Sequence, residues 1–496
     1  MSILFETLRR QALTSPDSIA LRGTQAELSY AELQLAVSSN KRNLLTQGIS
    51  VLGLLADNNM SWALADLAAM AARIPLAPIP QFFSQRQILH VIRDTGMDAL
   101  LTDQPAYVIP LLHEAGIKSQ NLGSLAGLNL IRLLDMPVKA LPPGTAKITY
   151  TSGTTGDPKG VCLSLAQMET VACSLRDATL AKPADRHLCL TPLSTLLENI
   201  GGIYTPMLSG ATSHILPLAQ IGLSGASGLD VGLMLQALHA TKASTAIMAP
   251  QMLQALLAAG ERGCPMPANL RFIAVGGAPV SAQLLVKAYV LGLPVYEGYG
   301  LSECSSVLAL NTPADFCPGS VGRPLPHTAI KIAADGEIVV EGSTFLGYLG
   351  QEHPEQPWKT GDLGYLDSEG YLHLTGRKKS MFITSFGRNV APEWVELELL
   401  LHTAIAQAVI FGEARPWNIA VIVARGSPSE VELAITATNR MLPDYAQIRQ
   451  WIAAQAPFTT HNMQLTSNGR LRRDEIWKVY QPVIDAMYEE QLDAVL

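Results

Sequence analysis

Basic charge is in short supply in this chain: 35 Lys and Arg stand against 42 Asp and Glu, a formal net charge of -7. It therefore lacks the cationic surplus that lays a protein along nucleic acid, and no nucleic-acid partner is expected. Cysteine is also sparse. The six present, Cys162, Cys173, Cys189, Cys264, Cys304 and Cys317, form no C-x-x-C pair and no zinc spacing, which argues against a disulfide framework or a zinc ribbon and reads as reduced thiols. No apolar stretch approaches the ~20 residues that span a bilayer. The first residues set their arginines inside an amphipathic pattern instead of ahead of an apolar run, unlike a secretory signal. The expectation is a cytoplasmic protein without stable membrane insertion. Charged residues make up only 16% and hydrophobic ones 48%, a balance that excludes disorder and suffices for sizeable cores.

At 496 residues the chain exceeds what one core ordinarily holds, so a large subdivided unit and a smaller one are expected. Strand-like apolar runs alternate with helical patterns, as where residues 270–275 precede 282–291, and this alternation predicts an α/β architecture with largely parallel sheets. Residues 218–230 are rich in Gly and Ser and read as a surface loop. The clearest boundary is the basic cluster Arg377-Lys378-Lys379, which follows a strand-like run at 371–375 and precedes a new apolar one. It divides the chain into residues 1–378 and 379–496.

The densest chemical signal is Thr151-Ser152-Gly153-Thr154-Thr155-Gly156-Asp157-Pro158-Lys159-Gly160, behind a short β-rich run. Glycines let backbone N–H groups turn toward an anion, hydroxyls add donors, and an ammonium group neutralises phosphate charge. The order is not that of a Walker A loop, because Lys159 follows a proline and is not followed by Ser or Thr.

This string resembles the signature loop of the adenylate-forming superfamily, which includes acyl-CoA synthetases, peptide-synthetase adenylation domains and luciferases. The resemblance begins at Pro16-Asp17 and Leu28-Ser29-Tyr30-Ala31-Glu32-Leu33 and continues in order along nearly the whole chain. By it, Thr151, Ser152, Gly153, Thr154, Thr155 and Gly156 hold ATP or AMP, and Lys159 is a catalytic cation. Val275-Gly276-Gly277-Ala278-Pro279 is similar to the family's adenine-side turn, which puts Gly277, Ala278 and Pro279 beside the base. Tyr296-Glu297-Gly298-Tyr299-Gly300-Leu301-Ser302-Glu303 resembles the segment that assigns Tyr299, with Gly300, to adenine, Ser302 to phosphate and Glu303 to Mg2+. An aromatic face suits a flat base and a carboxylate suits a hard cation. Thr360-Gly361-Asp362 and Gly376-Arg377 resemble the pair that grips the ribose hydroxyls and neighbouring phosphate, through Asp362 and Arg377. Lys379 falls where the family places its hinge. The segment from Ser385 to Glu396 is similar to the one lining the thiol's approach, with Gly387 nearest the pantetheine arm.

The resemblance implies a large N-terminal domain of packed, mostly parallel sheets with helices, and a small mobile α+β C-terminal domain. It implies ATP-dependent conversion of a carboxylic acid to acyl-AMP with release of pyrophosphate, then transfer to a thiol, CoA in the first reading. The alternatives are loading of a separate acyl carrier protein's phosphopantetheine and a nucleotide-binding homologue impaired in adenylation. Two departures stand out. In Leu465-Thr466-Ser467-Asn468-Gly469-Arg470, Arg470 occupies the place of the family's catalytic lysine and is expected to take over its role. In Pro192-Leu193-Ser194-Thr195, Ser194 and Thr195 stand where many acyl-CoA synthetases carry an aromatic and a histidine. No aspartate is placed to hold an α-ammonium, and the apolar stretch at 196–208 suits a fatty or aromatic acid.

Overall fold

The computed structural model describes residues 2–151, 158–224, 228–278, 280–342, 344–351, 355–466 and 469–493. Its largest sheet has nine strands. Ile19–Arg22, Thr212–His214, Arg186–Leu188, Thr245–Met248, Phe272–Val275 and Val295–Tyr299 run parallel through it, and the short strands Ala309–Leu310 and Arg323–Pro324 extend one edge antiparallel. The expected helix after residues 270–275 is present as Ala282–Val290. An eight-stranded sheet has a parallel centre of Leu52–Leu55, Leu76–Pro78, Ala99–Thr102 and Thr145–Thr151. Hairpin partners close it on both sides, among them Lys159–Ser164 against Thr145–Thr151. A third, four-stranded sheet is wholly antiparallel and includes Trp358–Leu366 and Leu372–Arg377. Parallel pairing thus occupies the doubly covered sheet centres, where both faces are apolar, and antiparallel pairing the rims.

The packing of the eight-stranded sheet contains a buried charge. Lys147, 1% exposed, points from the strand Thr145–Thr151 onto the helix Met60–Ala72 and forms an ion pair of 2.7 Å with fully buried Asp66. Its ammonium also donates to Asn199 and, at 2.7 Å, to the Tyr204 hydroxyl. Asn199 and Tyr204 in turn donate to the second Asp66 oxygen at 2.9 and 2.6 Å. Burial pushes the Lys147 ammonium down, and Asp66 pulls it back toward its ordinary range.

The apolar stretch at 196–208 is helical: Leu196–Asn199 passes through a π-turn at Ile200–Tyr204 into Thr205–Ser209. Pro206 has no N–H to give the Gly202 carbonyl, and the Ser213 hydroxyl donates to that oxygen at 2.6 Å instead. Residues 218–230 differ from the expected loop. A 3-10 turn, Leu218–Ile221, buries Ile221 completely, and Leu223–Ser224 pairs with Gly228–Leu229.

Beyond the basic cluster, Ile405–Phe411, Asn418–Ala424 and Ile448–Ala453 form a three-stranded sheet. Separate apolar clusters cover its two faces, built with the helices Pro392–Leu400 and Pro428–Asn439 on one side and Arg473–Asp493 on the other. Arg473 ties the C-terminal helix to this unit with a forked pair of bonds to buried Glu396, 2.5 and 2.6 Å. Among the described residues no helix is long and apolar enough to cross a membrane.

Candidate active site

The parallel strands Phe272–Val275 and Val295–Tyr299 deliver two turns to one level of the sheet. After the first, Gly277 is exposed and has φ +83°, a conformation that side chains disfavour. Half-buried Ala278 follows. After the second, Gly300 packs so closely that a Cβ would lie 1.5 Å from the Ser306 carbonyl oxygen, so only glycine fits. Open ends of parallel strands are where α/β sheets leave a crevice for ligand.

Tyr299 is 7% exposed and donates its hydroxyl to Asp362 at 2.7 Å. Burial, then the Asp362 carboxylate, raise its phenol well above the usual range, so the ring is a neutral, fixed wall. The other Asp362 oxygen accepts from Arg377 Nε at 2.8 Å across the pair Trp358–Leu366 and Leu372–Arg377. The Arg377 side chain remains half-exposed, with its fork available at the surface.

Ser302 and Glu303 begin the short 3-10 turn Ser302–Cys304, both half-buried. Glu303 Oε1 accepts from the Tyr348 hydroxyl at 2.7 Å. Lys159, exposed at the start of its strand, lies with Nζ 5.3 Å from the center of the same Tyr348 ring. Tyr348 reaches both because Gly347–Tyr348 pairs antiparallel with Lys159–Ser164. A cation, an aromatic ring and a carboxylate are thereby joined. Tyr348 was not singled out from the sequence, and nothing in its immediate neighbours marks it.

Arg470 closes the group from the C-terminal unit. Its Nη2 donates to the Gly277 carbonyl at 2.9 Å. A narrow hairpin presents it: Thr466 N–H donates to the Arg470 carbonyl at 2.7 Å, and Leu465 bridges Leu471. Surrounding protein and the nearby Arg377 lower its pKa, while Asp362 and Glu303 oppose them. An arginine stays cationic at neutral pH against such a shift. Arg470 keeps contact with solvent along the cleft, so it can meet an incoming ligand.

The remaining expected positions are dispersed. Thr151 pairs with Lys159 at the mouth of their hairpin, but Ser152, Gly153, Thr154, Thr155, Gly156 and Pro279 lie outside the described residues. Lys379 is exposed in the turn after Leu372–Arg377, next to Lys378, which is pinned to Asp335 and Glu337 at 2.7 and 2.9 Å. Gly387 is exposed in the turn between Phe382–Ile383 and Asn389–Val390, with φ +70°.

A second residue that sequence reasoning passed over is Glu297, 6% exposed in the strand leading to Tyr299. Burial pushes its carboxyl up to about 8, only partly offset by a backbone hydrogen bond from Val280. The folded protein therefore keeps this proton to higher pH than the unfolded chain, whose carboxyl releases it near the ordinary 4.5. Stability from this group is accordingly lost as pH rises between those values and is constant outside them. Glu297→Gln, which mimics the protonated form, should raise the melting temperature relative to wild type more at pH 8 than at pH 5. At ~1.4 kcal/mol per pKa unit the gain is a few kcal/mol at most. Equal gains at both pH values would contradict the buried-acid assignment.

Comparison with known proteins shows the family of the chain. A family model described as AMP-binding enzyme matches residues 8–349, and one described as AMP-binding enzyme C-terminal domain matches residues 379–492. A long-chain-fatty-acid–CoA ligase of Mycobacterium bovis is 26% identical over an alignment covering 93% of each chain. A 2-succinylbenzoate–CoA ligase of Bacillus subtilis is 28% identical, covering 83% of this chain and 85% of the relative. Among solved structures, an anthranilate CoA ligase in complex with anthranoyl-AMP superposes with TM-score 0.81 at 17% identity, covering 97% of both chains. The o-succinylbenzoate CoA synthetase of Bacillus subtilis in complex with ATP and magnesium gives TM-score 0.77 at 24% identity, covering 94% of this chain and 98% of that one. By the extent of these matches, this chain belongs to the AMP-binding enzyme family.

Proposed function

We propose that the protein is an acid–CoA ligase that activates a fatty or aromatic acid as its acyl-adenylate and hands the acyl group to CoA. The observation that carries this reading is the Arg470 side chain of the C-terminal unit on the Gly277 carbonyl, beside Arg377 and the carboxylates of Asp362 and Glu303. A carboxylate is a poor electrophile without a leaving group. Its oxygen attacks the α-phosphorus of ATP, the bond to the β-phosphate oxygen breaks, and pyrophosphate leaves. Lys159 and Arg470 neutralise the charge that crowds there, and Asp362 with Arg377 holds the ribose end. The Glu303 carboxylate fits Mg2+, since one oxygen is held by Tyr348 and the other has no partner among the described residues. When bound, that ion supplies charge neutralisation to the triphosphate.

In the second step the CoA thiolate attacks the acyl carbonyl carbon and AMP leaves with the electron pair. We place the working division of the chain at 378/379, with Lys379 as hinge and Gly387 on the surface that turning brings to the thiol. The relatives are CoA ligases, which supports CoA over a carrier protein as acceptor. Ser194 and Thr195 leave small side chains at the start of the helical stretch 196–208, consistent with an apolar acid.

The test is pyrophosphate release from Mg·ATP across fatty, aryl and amino acids, with and without CoA. Release with a fatty or aryl acid, and thioester formation only with CoA present, are expected. Activity confined to amino acids, or ATP binding without release for every acid, would overturn the proposal.

A further inference from the structure

A cavity of about 560 Å³ shares no residue with the cleft described above. Its lining includes Arg22, Thr24, Arg186, His214, Thr241 and Lys242. Arg186 opens the strand Arg186–Leu188, and Lys242 precedes Thr245–Met248, so both stand at the opposite end of the nine-stranded sheet from Gly277 and Tyr299. The size is that of a small-ligand site.

The charges do not balance. Arg22 pairs with Glu27 at 2.6 Å, but Arg186 spends only Nε, on the Lys242 carbonyl at 2.8 Å, and the Lys242 ammonium has no partner among the described residues. Three cations meet one carboxylate. The helix Val231–Ala240 ends here, but the ~0.5 negative charge of a helix C-terminus does not offset two free cations. Behind them, His214 is 4% exposed and its Nε2 has no hydrogen-bond partner. Burial first, then Arg22, Arg186 and His187, lower its pKa to about 4, so at neutral pH it is an uncharged imidazole with an unused hydrogen-bonding nitrogen. A group carrying two negative charges would match the two free cations, whereas a carboxylate would leave one unanswered.

We propose that this cavity binds a soluble phosphate-bearing small molecule, its phosphoryl group seated between Arg22, Arg186 and Lys242 and hydrogen-bonded by His214. Such a site lies apart from the ATP cleft and gives the ligase a ligand beyond its proposed substrates and metal ion.

The test uses the full chain with 15N-labelled histidine, His214 assigned through His214→Gln, and inorganic phosphate as probe. The imidazole signal reads this cavity alone, whatever binds in the catalytic cleft or whether the ligase reading holds. Saturable perturbation of His214 is expected with Kd below about 1 mM, together with a rise of its pKa. Lys242→Ala and Arg186→Gln, checked for unchanged melting temperature, should each weaken binding about ten-fold. No saturation at His214, or wild-type affinity in both variants, would overturn the proposal. So would Lys242-dependent sedimentation with phosphatidylglycerol vesicles in the absence of phosphate binding, which would assign the cavity to a lipid surface.

Discussion

Arg470→Ala is expected to lower acid-dependent pyrophosphate release by roughly 10²–10³-fold, the usual consequence of deleting one preorganised donor to developing charge. The guanidinium bonds the Gly277 carbonyl and faces Asp362 and Glu303 across the cleft, so its loss removes a cation from the reacting end of the site. The fold should not suffer, because the hairpin presenting Arg470 is held by backbone and Thr466 contacts that alanine retains. Arg470→Lys keeps the charge but not the planar fork and should fall within about ten-fold of wild type. Release by the alanine variant within three-fold of wild type would remove Arg470 from the chemistry, and a much faster lysine variant would mark the natural chain as adenylation-impaired. The assay is single-turnover pyrophosphate release at saturating Mg·ATP.

The largest stability effect is expected inside the core. Lys147→Met should destabilise the protein by about 3–5 kcal/mol, since it strands the Asp66 carboxylate in a dry interior. Asn199 and Tyr204 would still donate to Asp66, but neither carries charge. In Lys147→Met/Asp66→Asn the buried charge is gone while an amide oxygen still accepts from Tyr204, so more than half of the loss should be recovered. Urea unfolding of the four proteins of this cycle gives the answer. Equal and additive losses would contradict a coupled pair. Because the strand bearing Lys147 runs directly into the hairpin that carries Lys159, a proposed ATP contact, the single variant should also raise KM for ATP.

Much of the candidate site was legible because its chemistry lies in consecutive residues. The turn at Gly277 and the pair Ser302 and Glu303 each carry their proposed meaning locally, and so does Lys159, although most of the hydroxyl and glycine string before it lies outside the described residues. Asp362 and Arg377 read as a pair, and they are opposed in register on neighbouring strands. What stayed hidden depends on folding. Tyr348 contacts Glu303 only because a two-residue strand pairs with Lys159–Ser164. Lys147 sits in a run that otherwise reads as an apolar strand, and only its meeting with Asp66 makes a buried ammonium tolerable. The 196–208 stretch reads as apolar, yet Asn199 and Tyr204 in it complete that polar network. Parallel pairing followed from helix–strand alternation, whereas in the antiparallel sheet around Asp362 short turns join Thr328–Ile332 to Glu337–Gly342 and Trp358–Leu366 to Leu372–Arg377.

The central claim is that the acid's own oxygen attacks the α-phosphorus of ATP. Its most direct test is turnover of an acid labelled with 18O in both carboxylate positions, with ATP and CoA, followed by mass spectrometry of the nucleotide product. AMP carrying one 18O, alongside unlabelled pyrophosphate and an acyl-CoA retaining the other label, is the expected result. Unlabelled AMP, or ADP with labelled phosphate, would contradict the acyl-adenylate mechanism.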